Sequence, residues 1–443
     1  MATMARLRER VKDRIDDGLE DAEAWVSYFG NYVSRHGQQA LLRHKYAARD
    51  DSLVLKYITD PLYCKWVTYF PTWLPPNIIT LLGLSFSSLG HLLLAFQCPS
   101  LEGPIPVWMG LYNAIAILAY QAFDAMDGKQ ARRTGSGSPL GMLFDHGCDA
   151  LNTTVLAISL ACALQLGPTP WALLLAGIAW VGFFTATLEE YYTGELYLGY
   201  LNLPNEGLQI MAVVHLLAPF LTPEWWRTPC VLGLQRNHLA VVVSSVMALA
   251  TMAYNVGVIT LWVQRKRASE QARVGIRQSS PRPRLTAAER YESSLLVFAY
   301  RCLPPAFVLW AFVYWALLSP SEILIRRPRL LLWTIGISNA KLVTGIMLAH
   351  VCDEAYHPFS RTIACLCTLL VHVCIQLHWR HSSGGGAVPA WDVQLEDLLL
   401  TEAFALLLAS YLHMIYAMIH EVSRALGIYA FTITRKREKH AAD

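Results

Sequence analysis

Ten apolar runs dominate this 443-residue chain, and they decide what it can fold into. They centre on Ile78–Phe96, Val107–Phe123, Leu140–Leu166, Trp171–Thr187, Glu206–Leu221, Leu239–Val263, Ser294–Leu318, Leu330–Ala349, Phe359–Leu377 and Leu395–Ile419. Several approach the roughly 20 residues a helix needs to cross the hydrocarbon core. The second and fifth are marginal, extended by polar ends that face protein. The expected fold class is all-α: a polytopic integral membrane protein with about ten transmembrane helices. Composition agrees, because only 16% of residues are charged, against about 25% in ordinary soluble chains. A formal net charge of +3 gives a nucleic-acid partner no support.

Loop charges orient the spans. GKQARRTGSG follows the second span, QRKRASEQARVGIRQSSPRPR the sixth, and TRKREK lies near the C-terminus. The positive-inside rule places these basic stretches, and with them both termini, in the cytosol. Arg326, Arg327 and Arg329 disagree, falling on the lumenal side, and three basic loops outvote them. The expected division is an interfacial N-terminal region at residues 1–76 and a six-helix catalytic core at 77–264. A basic linker follows at 265–292, then a four-helix region at 293–420 and a basic tail at 421–443. Leu7, Val11, Ile15 and Leu19 recur at helical spacing, as in a cytosolic or bilayer-surface amphipathic helix. Ten scattered cysteines, including Cys148, Cys162, Cys302 and Cys374 within apolar runs, read as small buried hydrophobes.

Against this apolar background stands FDAMDGKQARRTGSGSPLGMLFDHGCDA. Asp124 and Asp127 are three apart and share a helix face. Asp145 and Asp149 are four apart and do the same. Carboxylates at membrane depth are costly unless compensated, and a divalent cation is the usual compensation. Two such helix ends facing one another would converge four hard oxygen donors, which suit Mg²⁺, Mn²⁺ or Ca²⁺ and not zinc. Four carboxylates exceed what one ion needs, which favours two ions, or one with a bound phosphate. The residues between are phosphate-compatible. Gly128, Ala131 and Gly141 are small and allow close approach. Lys129, Arg132 and Arg133 supply cations.

The frame Asp124-x-x-Asp127-Gly128-x-x-Ala131-Arg132, eight residues, Gly141, three residues, Asp145, three residues, Asp149 resembles the signature of the CDP-alcohol phosphotransferases at every fixed position. Eight fixed residue types make a chance match improbable, below about 10⁻⁶ for the chain. PPNIITLLGL at Pro75–Leu84, DHGCDA at Asp145–Ala150, the AHxCDE stretch at Ala349–Glu354 and the ending HEVSRALGIYAFTITRK are similar to the eukaryotic choline and ethanolamine phosphotransferases. The ending looks most like the plant-type aminoalcohol phosphotransferases. The resemblance covers about Leu41 to Lys436, without the charged extension before Tyr32.

The resemblance implies transfer of phosphocholine or phosphoethanolamine from CDP-choline or CDP-ethanolamine to diacylglycerol, releasing CMP. Carried over by position, Asp124, Asp127, Asp145 and Asp149 would hold two ions, Mg²⁺ or Mn²⁺, on the pyrophosphate. Arg132 and Lys129 would contact phosphates, beside Gly128, Ala131 and Gly141, and Asn77 would touch the nucleotide. A homodimer in the endoplasmic reticulum is expected, with the Golgi as the alternative site. The last four helices would serve dimerisation and lipid access.

Diacylglycerol's hydroxyl needs a base, and two residues compete. Asp149 is the base often assigned in the wider family. His146, three residues before it, has an ordinary pKa better suited to neutral pH. Glu206 is the expected orienting partner of His146, with Glu189 and Glu190 as alternatives. His350, Asp353 and Glu354 read as a second cluster whose bland role is polar closure. Arg301 with Pro304 and Pro305 suggests a kinked seventh span. Two rival functions are a CDP-diacylglycerol-dependent phosphatidyltransferase with inositol or glycerol phosphate as acceptor, and a cation transporter with an intramembrane acidic site.

Overall fold

The computed structural model describes residues 32–200, 202–276, 294–382 and 390–433. The helix expected at Leu7–Leu19 and residues 277–292 of the basic linker lie outside these. The described chain is helical almost throughout. Its one sheet among the described residues is a parallel pair, β1 (Ala48–Asp50) with β2 (Leu196–Leu198).

Numbered over the described residues, the helices begin with α1 (Arg35–Leu41) and α2 (Asp60–Trp66). The long elements follow: α3 (Pro76–Gln97), α4 (Val107–Thr134), α5 (Pro139–Ala163) and α6 (Pro170–Thr193). Next come the short α7 (Leu208–Leu217) and α8 (Pro223–Arg227), then the long α9 (Arg236–Ile276). The C-terminal part is α10 (Leu295–Leu318), α11 (Ile323–Arg326), α12 (Pro328–Val351), α13 (Arg361–Ser382) and α14 (Ala390–Leu426).

Local chemistry sets these boundaries. Proline occupies a first-turn position of α3, α5, α6 and α12, where its missing N–H is no loss. Ser138 caps α5 by accepting the Gly141 amide at 3.2 Å. Gly135 ends α4 at φ 65°. The Ser136 amide then reaches back to the Ala131 carbonyl at 3.0 Å, the reversal that a left-handed residue permits.

Seven of these helices, α3, α6, α9, α10, α12, α13 and α14, are long and apolar enough to cross a membrane. Helices α4 and α5 have 28 and 25 residues and carry the aspartates. The fifth expected span is the shortest. A π-helical turn at Leu203–Gly207, α7 and a 3₁₀ turn at Ala218–Phe220 run on continuously to build it. Apolar helices of this kind satisfy every backbone group internally, as a bilayer requires. The chain is a polytopic membrane protein.

The two parts of the chain share a core. Helix α12 is the most enclosed long helix, with 83% of its apolar window buried inside the protein. It packs on α5 and α6 as well as on α10 and α14. Gly336 permits this approach, because an added Cβ would overlap the Thr154 side chain of α5. The Thr154 hydroxyl in turn accepts the Trp180 indole N–H of α6 at 3.0 Å. Helix α3 packs on both α4 and α5 and spaces them.

Two expectations about charge and kinks resolve here. The dissenting arginines are occupied: Arg326 Nη1 donates to both carboxylate oxygens of Asp397, at 3.0 and 2.9 Å. Arg327 reaches the same carboxylate at 3.5 Å. Arg329 donates to the carbonyls of Cys98 at 2.6 Å, Leu94 at 3.1 Å and Pro99 at 3.2 Å. In the seventh span, α10 runs unbroken through Pro304 and Pro305. Arg301 is fully buried there, donating to the hydroxyls of Tyr192 at 2.7 Å and Tyr191 at 3.2 Å and to the Tyr356 carbonyl at 3.2 Å.

Candidate active site

The turn at Gly135 folds α5 back beside α4, and the aspartate spacing then acquires a meaning. Asp127 lies seven residues before the end of α4, and Asp145 six after the start of α5. Asp124 and Asp149 each lie ten residues from the turn side of their helices. At 1.5 Å per residue the four carboxylates form two rungs, about 10 and 15 Å below the turn.

Three of the four converge. Asp124, Asp145 and Asp149 each place a carboxylate oxygen within 4.8 Å of the others. Asp124 Oδ1 and Asp145 Oδ1 are buried and accept no hydrogen bond from the protein. Asp127 is buried and accepts the Thr80 hydroxyl from α3. Asp149 accepts the Tyr120 hydroxyl, one turn before Asp124 on α4. Buried carboxylate oxygens without donors are costly. A cation bound between the helices removes that cost, and the all-oxygen donor set fits a hard divalent ion.

The flanking small residues leave room. A Cβ on Gly128 would meet only Arg132 Nη1, at 3.7 Å. A Cβ on Gly141 would meet Asn77 Oδ1 at 3.6 Å and Ser138 Oγ at 3.8 Å. Ala131 is half-buried on the same turn, and Arg132 is exposed.

The other cations have structural partners. Lys129 pairs with Asp60 of α2. Arg133 donates to the carbonyls of Phe70 at 2.7 Å and Val67 at 3.0 Å. Asn77 donates to the Ala430 carbonyl at 2.8 Å, so the chain's final described segment folds over the start of α3. Phe431 meets Phe144 edge-on in the same place, with ring centroids 5.6 Å apart.

His146 is buried, its two ring nitrogens facing two acceptors: Nδ1 lies 3.1 Å from the Met142 carbonyl and Nε2 3.2 Å from Glu190 Oε2. The carboxylate beside His146 is therefore Glu190, near the end of α6, one of the two alternatives named from sequence. Glu206, the first expectation, is turned away. Its Oε1 accepts the Ser52 hydroxyl at 2.5 Å and the Val54 amide at 3.4 Å, and its Oε2 accepts the Asn202 amide at 2.9 Å. It binds the N-terminal segment to the π-helical turn. Its place at a helix start drew attention to it, and that place is occupied with backbone donors.

The second acidic cluster does closure work. Glu354 accepts the Ser34 hydroxyl that caps α1, at 2.5 Å. Glu421 accepts the Tyr32 and Val33 amides, both at 2.9 Å. His350 meets the His44 ring edge-on, centroids 5.5 Å apart. Burial pushes the Tyr46 phenol above its ordinary pKa, and the charges of Glu190, Asp145, Asp124 and Asp149 push it further.

Sequence reasoning missed Thr80, Tyr120 and Asp60. Helical spacing carries a signal for two of them, since Tyr120 is four residues before Asp124 and Thr80 three after Asn77. Asp60 reaches the site only through tertiary folding.

Comparison with known proteins agrees with this geometry. The family model of the CDP-alcohol phosphatidyltransferases matches residues 73–319. The chain is 33% identical over 420 residues to choline/ethanolaminephosphotransferase 1 of Arabidopsis thaliana, covering 91% of this chain and 99% of that one. Choline/ethanolaminephosphotransferase 2 of the same plant is 32% identical over 410 residues, with the same coverage. Cholinephosphotransferase 1 of Mus musculus is 36% identical over 213 residues, covering 47% of this chain and 52% of that one. With the aspartate frame intact on α4 and α5 and the match spanning more than half its length, the chain belongs to the CDP-alcohol phosphatidyltransferase family of membrane enzymes.

Proposed function

We propose that the chain transfers phosphoethanolamine or phosphocholine from the CDP-linked alcohol to diacylglycerol, giving the phospholipid and CMP. The observation that carries the reading is the convergence of Asp124, Asp145 and Asp149, with donor-free oxygens on Asp124 and Asp145, beside the buried His146–Glu190 pair. The names borne by the full-length plant relatives support the substrates.

Asp124, Asp127, Asp145 and Asp149 would hold two divalent ions, Mg²⁺ or Mn²⁺, which when bound neutralise pyrophosphate charge and make its phosphorus more electrophilic. The exposed Arg132 is placed to grip phosphate oxygens, with Gly128, Ala131 and Gly141 allowing close approach. Lys129 reaches a phosphate on leaving Asp60, and Asn77 lines the nucleotide side. His146 is the general base. To act as base the neutral ring keeps its proton on Nδ1, against the Met142 carbonyl, and turns Nε2 away from Glu190 Oε2, which it faces at 3.2 Å, toward the acceptor hydroxyl. The diacylglycerol hydroxyl gives its proton to Nε2 as its oxygen bonds to phosphorus. The bond from that phosphorus to the bridging oxygen breaks, and CMP departs with that oxygen. Glu190 stabilises the imidazolium so formed. Asp149 is the competing base, already accepting from Tyr120.

The remaining assignments complete the proposal. The basic stretches at Lys129–Arg133 and Arg265–Arg290 support a cytosolic active site and cytosolic termini. Residence in the endoplasmic reticulum and a homodimer formed through the last four helices rest on the resemblance. The six-plus-four division remains the proposed domain plan, with α12 as the shared core element.

The test is CMP release by the purified chain in vesicles containing diacylglycerol. Release from CDP-choline or CDP-ethanolamine that requires diacylglycerol supports the reading. Release that instead requires CDP-diacylglycerol and a soluble alcohol would overturn it.

A further inference from the structure

Each aspartate helix presents one carboxylate held by a hydroxyl and one with a donor-free oxygen. On α4, Asp127 accepts the Thr80 hydroxyl, while Asp124 Oδ1 is buried without a donor. On α5, Asp149 accepts the Tyr120 hydroxyl, while Asp145 Oδ1 is buried without a donor. Both hydroxyl-bearing side chains are buried.

Both hydroxyls also depend on α3. Thr80 lies on it, and its hydroxyl has a local acceptor in the Pro76 carbonyl at 3.3 Å. Its contact with Asp127 is the shorter one, so the bond to the carboxylate is not a mere means of burying the group. Gly83 is three residues further, on the same face. A Cβ added there would meet Phe123 Cβ at 3.1 Å and both Cα and Cδ2 of Tyr120 at 3.5 Å. The bare glycine lets α3 close on the Tyr120 ring, which is thereby packed in place. One turn on, Ser87 donates at 2.6 Å to Asn152, three residues after Asp149 on α5. A single face of α3, Thr80–Gly83–Ser87, thus meets both aspartate helices.

A hydroxyl that donates to one carboxylate oxygen fixes the rotamer and leaves the other oxygen to face an ion. Outer hydrogen-bond partners of this kind typically carry about 10- to 100-fold in metal affinity. We propose that Thr80 and Tyr120 are positioning residues for the divalent-ion site, orienting Asp127 and Asp149 as ligands, with α3 as the element that sets them. This rests on the metal reading above. It also divides the labour between the two competing bases: Tyr120 holds Asp149 to the ion, which leaves the proton to His146.

The experiment measures Mn²⁺ binding by calorimetry to the purified full chain and to Thr80→Val, Thr80→Ser and Tyr120→Phe. Melting temperatures taken in chelator check the fold without the ion. Val and Phe remove the hydroxyl at nearly constant shape and should weaken Mn²⁺ about tenfold or more, whereas Ser keeps the donor and should stay within about threefold. In CMP release, Val and Phe should raise the KM for Mn²⁺, and saturating Mn²⁺ should restore most of kcat. Wild-type Mn²⁺ affinity in Val or in Phe removes that residue from the assignment. Equal weakening by Val and Ser makes the effect one of packing and overturns it for Thr80. A fall in kcat for Tyr120→Phe at wild-type Mn²⁺ affinity would make Asp149 the base and overturn it for Tyr120. A wild-type chain that binds no Mn²⁺ overturns the metal reading itself, and this inference with it.

Discussion

At the scale of single residues, variants of His146 and Glu190 test whether chemistry and binding are separate, as proposed. His146→Ala should lower kcat by roughly 10²- to 10⁴-fold, the usual value of a positioned base. Binding of Mn²⁺, followed by calorimetry, should persist in that variant, since the aspartates remain. Glu190→Gln should lower kcat in the same direction by withdrawing the charge that stabilises the imidazolium. Glu206→Gln should instead cost about 1–3 kcal/mol of stability, as hydrogen bonds to a charged acceptor weaken. A kcat loss for Glu206→Gln equal to that of His146→Ala, at an unchanged melting temperature, would put Glu206 back in the chemistry. The aspartate frame was legible because its period is helical and its setting apolar. The partner of His146 was not, because Glu190 and Glu206 stand on separate elements and only their tertiary neighbours distinguish them. Thr80 and Tyr120 were legible in principle, one turn from residues already singled out. Asp60 leaves no periodic trace at all.

Elements place these residues, and their joints are testable. The apolar runs lie on helix, and among the described residues seven of those helices are long and apolar enough to cross a membrane. The weakest was the fifth, where Pro204 and Gly207 replace regular helix by a π-helical turn and a polar mouth. Arg326, Arg327 and Arg329 dissented from the charge count, and their pairing with Asp397 and helix-end carbonyls is a property of packing that the sequence does not display. Glu421 and Glu354 tie the N-terminal segment to α14 and α12. Glu421→Ala removes the acceptor of two amides, at a cost of about 1–3 kcal/mol. It should speed limited proteolysis before Leu41 while the transmembrane helices stay protected; unchanged cleavage would contradict the clamp. Gly336→Val should be more damaging, since its side chain would overlap Thr154 and separate α12 from α5. Overpacking of this kind costs about 1–3 kcal/mol or more. A melting temperature equal to wild type would show that the two helices do not meet there.

For the whole molecule, the arrangement is an acidic, polar site set within an apolar bundle. The site opens between α4 and α5, which α3 spaces, and α12 joins the C-terminal helices to the same core. A soluble nucleotide and a membrane lipid can meet only at such an interface. The donor-free oxygens of Asp124 and Asp145 make the divalent ion a requirement of the account. Chelation should abolish CMP release, and added Mg²⁺ or Mn²⁺ should restore it. Asp145→Asn should remove both the activity and the rescue. The most direct test of the central claim is the release of CMP from CDP-choline or CDP-ethanolamine by the purified chain in vesicles, with and without diacylglycerol. The account predicts metal-dependent release that appears only with diacylglycerol and yields phospholipid in equal amount. Release that ignores diacylglycerol, or phospholipid formed only from CDP-diacylglycerol and a soluble alcohol, would contradict it.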